Sequence, residues 1–200
     1  MKTNKVSILG ASGHAKVIID IAETLGYIIE KVYDQDEKKR NILNYPVCHS
    51  FFKIPKESII AIGNNKIRKE IASAFNLESP VLIHPSSNVS KYSELDSGSV
   101  VMSGVSINAG TRIGKHCIIN TNSSIDHDCV INDFVHISPN VSLAGNVDVG
   151  EGSHIGIGAC VIQGVKIGKN CIVGAGAVVI RDIKNGLTVV GNPAKALNKK

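Results

Sequence analysis

The segment from residue 123 to residue 138 concentrates the side chains of this sequence that could do chemistry. It holds His127 between Asp126 and Asp128, and His136 shortly after Asp133, within a run of isoleucines and valines. Such a group could bind a metal ion, form a catalytic base with an orienting carboxylate, or face solvent from a strand. Which of these applies depends on the architecture that carries the segment.

A six-residue period governs the second half of the chain. Every sixth residue from Ile83 to Val179 is aliphatic, seventeen times without a break, and the residue four places later is small or β-branched. One such repeat cannot bury its apolar edge alone, so the repeats must stack as coils. The pattern resembles the hexapeptide-repeat family, which implies a left-handed parallel β-helix with three repeats per coil. Residues eighteen apart would then stack on adjacent coils.

The first eighty residues alternate strands with helices. The pattern predicts strands that end near Gly10, Asp34 and Gly63, with a helix after the first and the last of them. We therefore expect a small parallel, Rossmann-like α/β domain in residues 1–80, followed by the β-helix domain and its C-terminal tail in residues 81–200. Glycine-rich turns that open into helices offer N–H groups to an anion. The spacing GASGH is not the dinucleotide fingerprint, and a tight turn without a ligand is the alternative.

Composition argues against several other classes of function. The net charge is +5, but the lysines and arginines are dispersed, so nucleic-acid binding is not expected. The N-terminus shows no apolar leader, and no stretch reaches the roughly eighteen apolar residues of a membrane span. A cytoplasmic protein without membrane insertion is therefore predicted. The five cysteines form no CxxC pair, and Cys117, Cys129 and Cys171 fall at the small inward position of the repeat.

Nearly the whole chain resembles the hexapeptide-repeat sugar acyltransferases, which include bacillosamine-type UDP-4-amino-sugar N-acetyltransferases and sialic-acid O-acetyltransferases. The resemblance is carried by GASGHA, IAIGNN followed by IRK, IDHDC and GNPAK. It implies an acetyl-CoA-dependent N-acetyltransferase acting on the 4-amino group of a UDP-linked amino-dideoxy sugar. It also implies a homotrimer with acetyl-CoA in the groove between adjacent β-helices. Sialic acid O-acetylation and a non-catalytic, nucleotide-binding β-helix scaffold are the alternatives.

The same resemblance implies that His127 is the general base and Asp128 its acidic partner, at a position where a member of the family has glutamate. A neutral histidine can take up a proton at neutral pH, and no covalent enzyme intermediate is needed because the thioester is already activated. Independently, the eighteen-residue stacking places Gly145 over His127, which predicts open space above the imidazole. The positions that contact acetyl-CoA in the family match His136, Gly145, Ile157 and Ala175.

Six residues of the first domain match the positions that hold the nucleotide sugar in the family. They are Ser12, Gly13, His14, Asp34, Gln35 and Gly63. Gln35 is matched by position only, and Asn64 and Asn65 are further candidates. His14 lies at a predicted helix N-terminus, where it could hydrogen-bond the diphosphate or the sugar.

A metal site is the other chemistry that the histidines could serve. His136 and His154 would stack eighteen residues apart, near Asp133. Hexapeptide helices of γ-class carbonic anhydrases bind zinc through three histidines, two of them five residues apart. No pair among His116, His127, His136 and His154 has that spacing, so no metal is expected. His154 matches no role in the family and is predicted to be a surface residue.

Overall fold

The computed structural model describes residues 4–197, an α/β region followed by a β-helix. The α/β region consists of β1 (Lys5–Leu9), α1 (Gly13–Thr24), β2 (Ile28–Tyr33), β3 (Asn41–Ile42), β4 (Tyr45–Cys48), β5 (Ser58–Ile60) and α2 (Asn65–Ala74). The sheet order is β3-β4-β2-β1-β5, with β3 antiparallel to β4 and the other neighbours parallel. The predicted parallel α/β fold is confirmed. The β3–β4 hairpin was not predicted, because its strands of two and four residues are too short to show a period.

The β-helix winds through three flat faces, each a stack of short strands. The first face contains Leu82–Ile83, Val100–Val101, Ile118–Ile119, His136–Ile137, His154–Ile155, Ile172–Val173 and Thr188–Val190, with Lys195–Ala196 added antiparallel. The second face contains Asn88–Val89, Ser106–Ile107, Ser124–Ile125, Ser142–Leu143, Cys160–Val161 and Val178–Val179. The third face contains Glu94–Leu95, Arg112–Ile113, Val130–Ile131, Asp148–Val149 and Lys166–Ile167. Ser106 pairs with Ser124, eighteen residues later, so the predicted β-helix of hexapeptide repeats is confirmed.

Three corners join the faces and carry most of the candidate functional residues. The first corner leads from the first to the second face, for example in residues 156–159. The second corner leads from the second to the third face, as in residues 126–129. The third corner returns the chain to the first face, as in residues 132–135. The aliphatic residue of each repeat points inward, and these side chains form one continuous buried core.

The α/β region packs directly on the first face. Ile18 and Ala22 on the buried side of α1 share a core with Leu82, Val100 and Ile118, which stack on successive coils. Because these first-face side chains are apolar and point outward, they need this cover. The β-helix begins at its first strand in residues 82–83, while the division into domains at residues 80 and 81 stays a prediction.

Buried polar side chains at the corners connect successive coils. Ser153 Oγ donates to the carbonyl of Gly168 at 2.7 Å and accepts from the N–H of Cys171 at 2.9 Å. Cys171 Sγ donates in turn to the carbonyl of Lys184 at 3.2 Å. Each such bond contributes on the order of 1 kcal/mol net. Small residues four places after the aliphatic one, such as Ser153 and Cys171, therefore also form hydrogen bonds with buried backbone groups.

Ser153→Ala should lower the free energy of unfolding by roughly 1–3 kcal/mol, because it leaves buried backbone groups unpaired. Chemical denaturation measures the change. Ser142→Ala, on the exposed side of the second face, is the matched control and should shift stability by less than about 0.5 kcal/mol. Equal effects of the two substitutions would contradict this account of the corners.

Candidate active site

His127 and Asp128 form a hydrogen-bonded pair at the second corner. Nδ1 of His127 lies 2.8 Å from Oδ2 of Asp128, so the aspartate is long enough to reach the imidazole. Asp126 Oδ1 accepts the backbone N–H of His127 and the side-chain amide of Asn108, each at 2.8 Å. The hydrogen bond to Asp128, with the negative charge of Asp126, raises the pKa of His127 above its ordinary value. An imidazole of raised basicity is suited to accept a proton.

Glycines on the two neighbouring coils make room for this pair. A Cβ on Gly145, eighteen residues after His127, would lie 2.6 Å from both Cε1 and Nε2 of the imidazole. A Cβ on Gly110, eighteen residues before Asp128, would collide with the carboxylate Oδ1. The prediction of open space above the imidazole was wrong, because the ring itself fills that space. Gly145 therefore admits the histidine ring.

A second group of histidines lies on the first face. The rings of His136 and His154 stack with centroids 4.6 Å apart and planes 20° from parallel. Nε2 of His136 pairs with the Asn120 amide at 3.2 Å, and Nε2 of His154 with the Ser138 hydroxyl at 2.8 Å. Burial lowers the pKa of both, that of His136 to about 3. His154, which was expected at the surface, is half-buried on the outward side of the first face, because the ring of His136 and Ser138 pack against it.

The turn after β1 binds the end of β2 through an acidic side chain. Asp34 Oδ2 accepts the backbone N–H of Ala11 at 2.7 Å and Lys39 Nζ at 2.8 Å. Lys39 also donates to Ser12 Oγ at 2.9 Å. Burial by itself would raise the pKa of Asp34, but the hydrogen bonds from Lys39 and from backbone N–H groups lower it overall. The N-terminus of α1 at residues 12–14 thus lies beside the ammonium group of Lys39. Together they suit the binding of an anionic group.

Sequence reasoning missed Lys39. It lies in a charged stretch, DEKKR, that carries no periodic signal, and its proximity to Ser12 arises only when the loop after β2 folds back over the turn. A short sequence motif could not reveal the contact between Lys39 and Ser12, since the two residues are 27 positions apart.

Three buried ring nitrogens have unmet hydrogen-bonding capacity. Among the described residues, Nε2 of His14, Nδ1 of His116 and Nδ1 of His136 have no partner. Burial, followed by the positive charge of Arg68, lowers the pKa of His14 to about 4. An unpaired buried polar atom costs about 1–3 kcal/mol. Nε2 of His14 and Nδ1 of His136, which belong to candidate site residues, are therefore positions where a ligand could supply the missing bond, whereas the ring of His116 stacks on Phe134.

A cavity of about 330 Å³ opens at the carboxyl edge of the sheet. Its lining includes Tyr33, Asp34, Gln35, Phe51, Ile62 and Phe75. Gly63 follows Ile62 directly, at the turn between β5 and α2. Apolar walls with a few polar groups at the rim are typical of sites for small organic ligands.

One chain does not bring all the candidate residues together within residues 4–197. The His127–Asp128 pair lies at the second corner, whereas His136 points outward from the first face, across the triangular section from that corner. Ile157 and Ala175 lie at the first corner. The candidate residues of the α/β region belong to the part of the chain that packs on the first face. The candidate site is therefore divided into two halves that face different directions.

Family models match both parts of the chain. Residues 5–75 match the PglD N-terminal domain, and residues 146–181 match the bacterial transferase hexapeptide of six repeats. Both matches lie within the α/β and β-helix regions described above.

Solved structures extend the similarity over nearly the whole chain. The acetyltransferase domain of PglB from Neisseria gonorrhoeae FA1090 is 39% identical, with a TM-score of 0.91 over 98% of this chain and 100% of that one. PerB from Caulobacter crescentus, in complex with CoA and GDP-perosamine, is 38% identical, with a TM-score of 0.92 over 98% of each chain. The chain therefore belongs to the hexapeptide-repeat sugar acyltransferase family.

A curated relative matches over a shorter stretch. GDP-perosamine N-acetyltransferase from Escherichia coli O157:H7 is 35% identical over 116 residues, which are 55% of this chain and 52% of that protein. The match thus spans about half the length of this relative.

Neither a membrane span nor a metal cluster is found in the described part of the chain. No helix within residues 4–197 combines the length and apolar character needed to cross a bilayer. Over the same range, no group of three or more histidine, cysteine, aspartate or glutamate side chains is placed to hold a metal ion. His136 and His154, the pair considered for a metal, instead pair with Asn120 and Ser138.

Gly145→Ala should lower the pKa of His127 toward its ordinary value. The added methyl group must displace the imidazole, which weakens the bond to Asp128 that raises the pKa. An NMR titration of the His127 ring measures the shift, and Ser142→Ala on the same coil is the control that should leave it unchanged. An unaltered titration in Gly145→Ala would contradict the assigned role of this glycine.

Proposed function

We propose that this protein transfers the acetyl group of acetyl-CoA to an amino group of a nucleotide-linked amino sugar. The observation that carries the proposal is the His127–Asp128 pair, held at 2.8 Å with more than half of each side chain exposed. The similarity over 98% of the chain to the PglB acetyltransferase domain and to PerB supports the reaction class.

In the proposed mechanism His127 acts as general base. An ionised Asp128 can only accept a hydrogen bond, so Nδ1 carries the hydrogen and Nε2 keeps a lone pair. Nε2 takes a proton from the sugar amine as the nitrogen attacks the thioester carbonyl. The N–C bond forms, the C–S bond breaks, and the proton passes from His127 to the departing thiolate.

The acceptor is proposed to bind at the turn after β1 and in the neighbouring cavity. Ser12, Gly13 and His14 with Lys39 would bind the diphosphate through N–H groups and positive charge. The cavity beside Asp34 and Gln35 would take the base or the sugar ring. Gly63 has open space where a Cβ would stand, so a sugar could approach its backbone. The family resemblance of the sequence favours a UDP-linked 4-amino-dideoxy sugar, whereas the PerB complex contains GDP-perosamine, so both nucleotides require testing.

Acetyl-CoA is proposed to lie along the first corner against Ile157 and Ala175, with its thioester near His136 of one chain and Gly145 of a second copy. Ile157 is 52% exposed and Ile172, on the adjoining face, 51% exposed, which gives an apolar strip for the pantetheine arm. Because His127 and His136 of one chain face different directions, the site would be completed by a second copy. A cyclic homotrimer provides that contact three times with one kind of interface. Dependence on acetyl-CoA fits the cytoplasmic location expected from the sequence.

Thiol release from acetyl-CoA tests the reaction. We expect release with a UDP- or GDP-linked 4-amino sugar, and a loss of roughly 10²–10⁴-fold in kcat for His127→Asn because the base is removed. The variant should keep its thermal midpoint and its affinity for CoA, and His84→Asn is the control for replacing a histidine elsewhere in the β-helix. Release with sialic acid alone would move the acceptor from an amine to a hydroxyl group. The proposal would be refuted if no acceptor caused thiol release, or if His127→Asn kept the kcat of the unmutated protein.

Subunit mixing tests the division of the site between copies. His127→Asn and His136→Asn each disable a different half, so co-assembly should restore both intact halves at about one quarter of the interfaces of a random trimer. The expected result is activity of the mixed protein well above that of either variant alone. Activity that stays at the level of the single variants, in a mixed assembly verified by mass, would show that each chain contains its own complete site.

A further inference from the structure

Arg68, on α2, is a buried cation that the proposed mechanism does not use. It is 1% exposed, although it is among the largest side chains of the protein. Nε donates to the carbonyl of His116 at 2.8 Å, and Nη2 to the carbonyl of Phe134 at 2.9 Å. Nη1 donates to the carbonyls of Ile62 and Gly63 at 3.0 and 3.2 Å. One guanidinium thus joins the turn before α2 to two successive coils of the β-helix.

Asn65 extends this junction to a third coil. Its Oδ1 accepts Nη2 of Arg68 at 2.8 Å, and its Nδ2 donates to the carbonyls of Gly152 and Ser153, each at 3.0 Å. The contacts at residues 116, 134 and 152 are eighteen residues apart, so the first turn of α2 follows the third corner from coil to coil. We call this junction, formed by Asn65 and Arg68, the α2 seam.

Within residues 4–197, no carboxylate pairs with the charge of Arg68. All five of its hydrogen-bond acceptors are uncharged oxygens. Burial lowers its pKa to about 10, which still leaves it charged at neutral pH. After burial, its charge contributes to the lowered pKa of His14, His116, His136 and His154. A buried charge of this kind is costly compared with an apolar side chain of similar size, so stability alone does not account for it.

We propose that Arg68 is a positioning residue for the transfer reaction, holding the acceptor turn at Gly63 in a fixed position relative to His136. This inference rests on the proposed function. Gly63, whose carbonyl it binds, belongs to the acceptor side, and Phe134 lies two residues before His136 on the other side. Two bound substrates react only when they are well oriented, and a displacement of about 1 Å can cost roughly a hundredfold in rate.

Arg68→Lys is the variant that tests positioning. Lysine keeps the positive charge, but its compact ammonium cannot replace the planar fork that reaches both sides of the seam. We expect kcat/KM for the amino sugar to fall roughly tenfold to a hundredfold, through both a higher KM and a lower kcat. The KM for acetyl-CoA should stay within about twofold, because the apolar strip at Ile157 is not among the contacts of Arg68.

Lys69→Met is the matched control on the same helix. Lys69 also connects α2 to the β-helix, through an ion pair with Glu151 and a position 6.0 Å from the centre of the Phe134 ring. Neither Glu151 nor Phe134 belongs to the turn at Gly63. We therefore expect Lys69→Met to leave the KM for the amino sugar unchanged, even if it lowers thermal stability.

Asn65→Ala provides a second measurement if Arg68→Lys does not fold. It removes one acceptor of Arg68 and two bonds to the β-helix but keeps the four bonds from the guanidinium to backbone carbonyls. We expect a several-fold loss in kcat/KM for the amino sugar, again with little change for acetyl-CoA.

Two results would overturn the inference about Arg68. One is a KM for the amino sugar equal to that of the unmutated protein in the folded variants. The other is a parallel loss for both substrates that follows only the fraction of folded protein. An unmutated protein that is inactive with every acceptor would instead remove the proposed function, so the two failures are distinguishable.

Discussion

Through all but the last coil of the β-helix, strand residues pair with residues eighteen positions before and after them, and this spacing constrains the β-helix side chains that the site uses. The imidazole of His127 needs a glycine at residue 145, and the carboxylate of Asp128 needs one at residue 110. His136 and His154 stack for the same reason. A functional side chain on the β-helix therefore requires compatible residues on the coils directly above and below it.

The α/β region meets this scaffold in two chemically different ways. Toward the start of the β-helix, α1 covers apolar side chains of the first face, and the contact is an ordinary hydrophobic core. Toward the middle, α2 meets the third corner through Arg68 and Asn65, whose hydrogen bonds end on backbone carbonyls. The first contact tolerates small shifts, whereas the second fixes both distance and direction, because hydrogen bonds weaken steeply when they are misaligned.

The sequence predicted much of the fold because its signals are local or strictly periodic. From Val101 to Val179 the aliphatic residue of every hexad is buried as the period predicts, and α1 and α2 form where the apolar residues have helical spacing. The pairing of His127 with Asp128 lies within two adjacent residues and could be predicted from the family resemblance.

The remainder depends on contacts between segments that are far apart in sequence. Arg68 bonds partners 48 and 66 residues away, and Lys39 reaches Ser12 across 27 residues. No local pattern encodes such distances, and a buried arginine in IRKEI has the same appearance in sequence as an exposed one. The half-burial of His154 has the same kind of cause, because the ring that stacks on it belongs to His136, eighteen residues earlier.

Because the repeat is uninterrupted, the number of residues in the β-helix also determines the direction in which each later side chain points. In the β-helix an insertion or deletion of six residues would carry the chain one face further around or back, turning everything after it by a third of a rotation relative to the α/β region. A change of eighteen residues would restore the direction and alter only the height. The angle between His127 and the first face therefore depends on the number of residues between them. A related protein with a longer or shorter β-helix can keep the site geometry only if whole coils are added or removed, or if the extra residues bulge out at a corner.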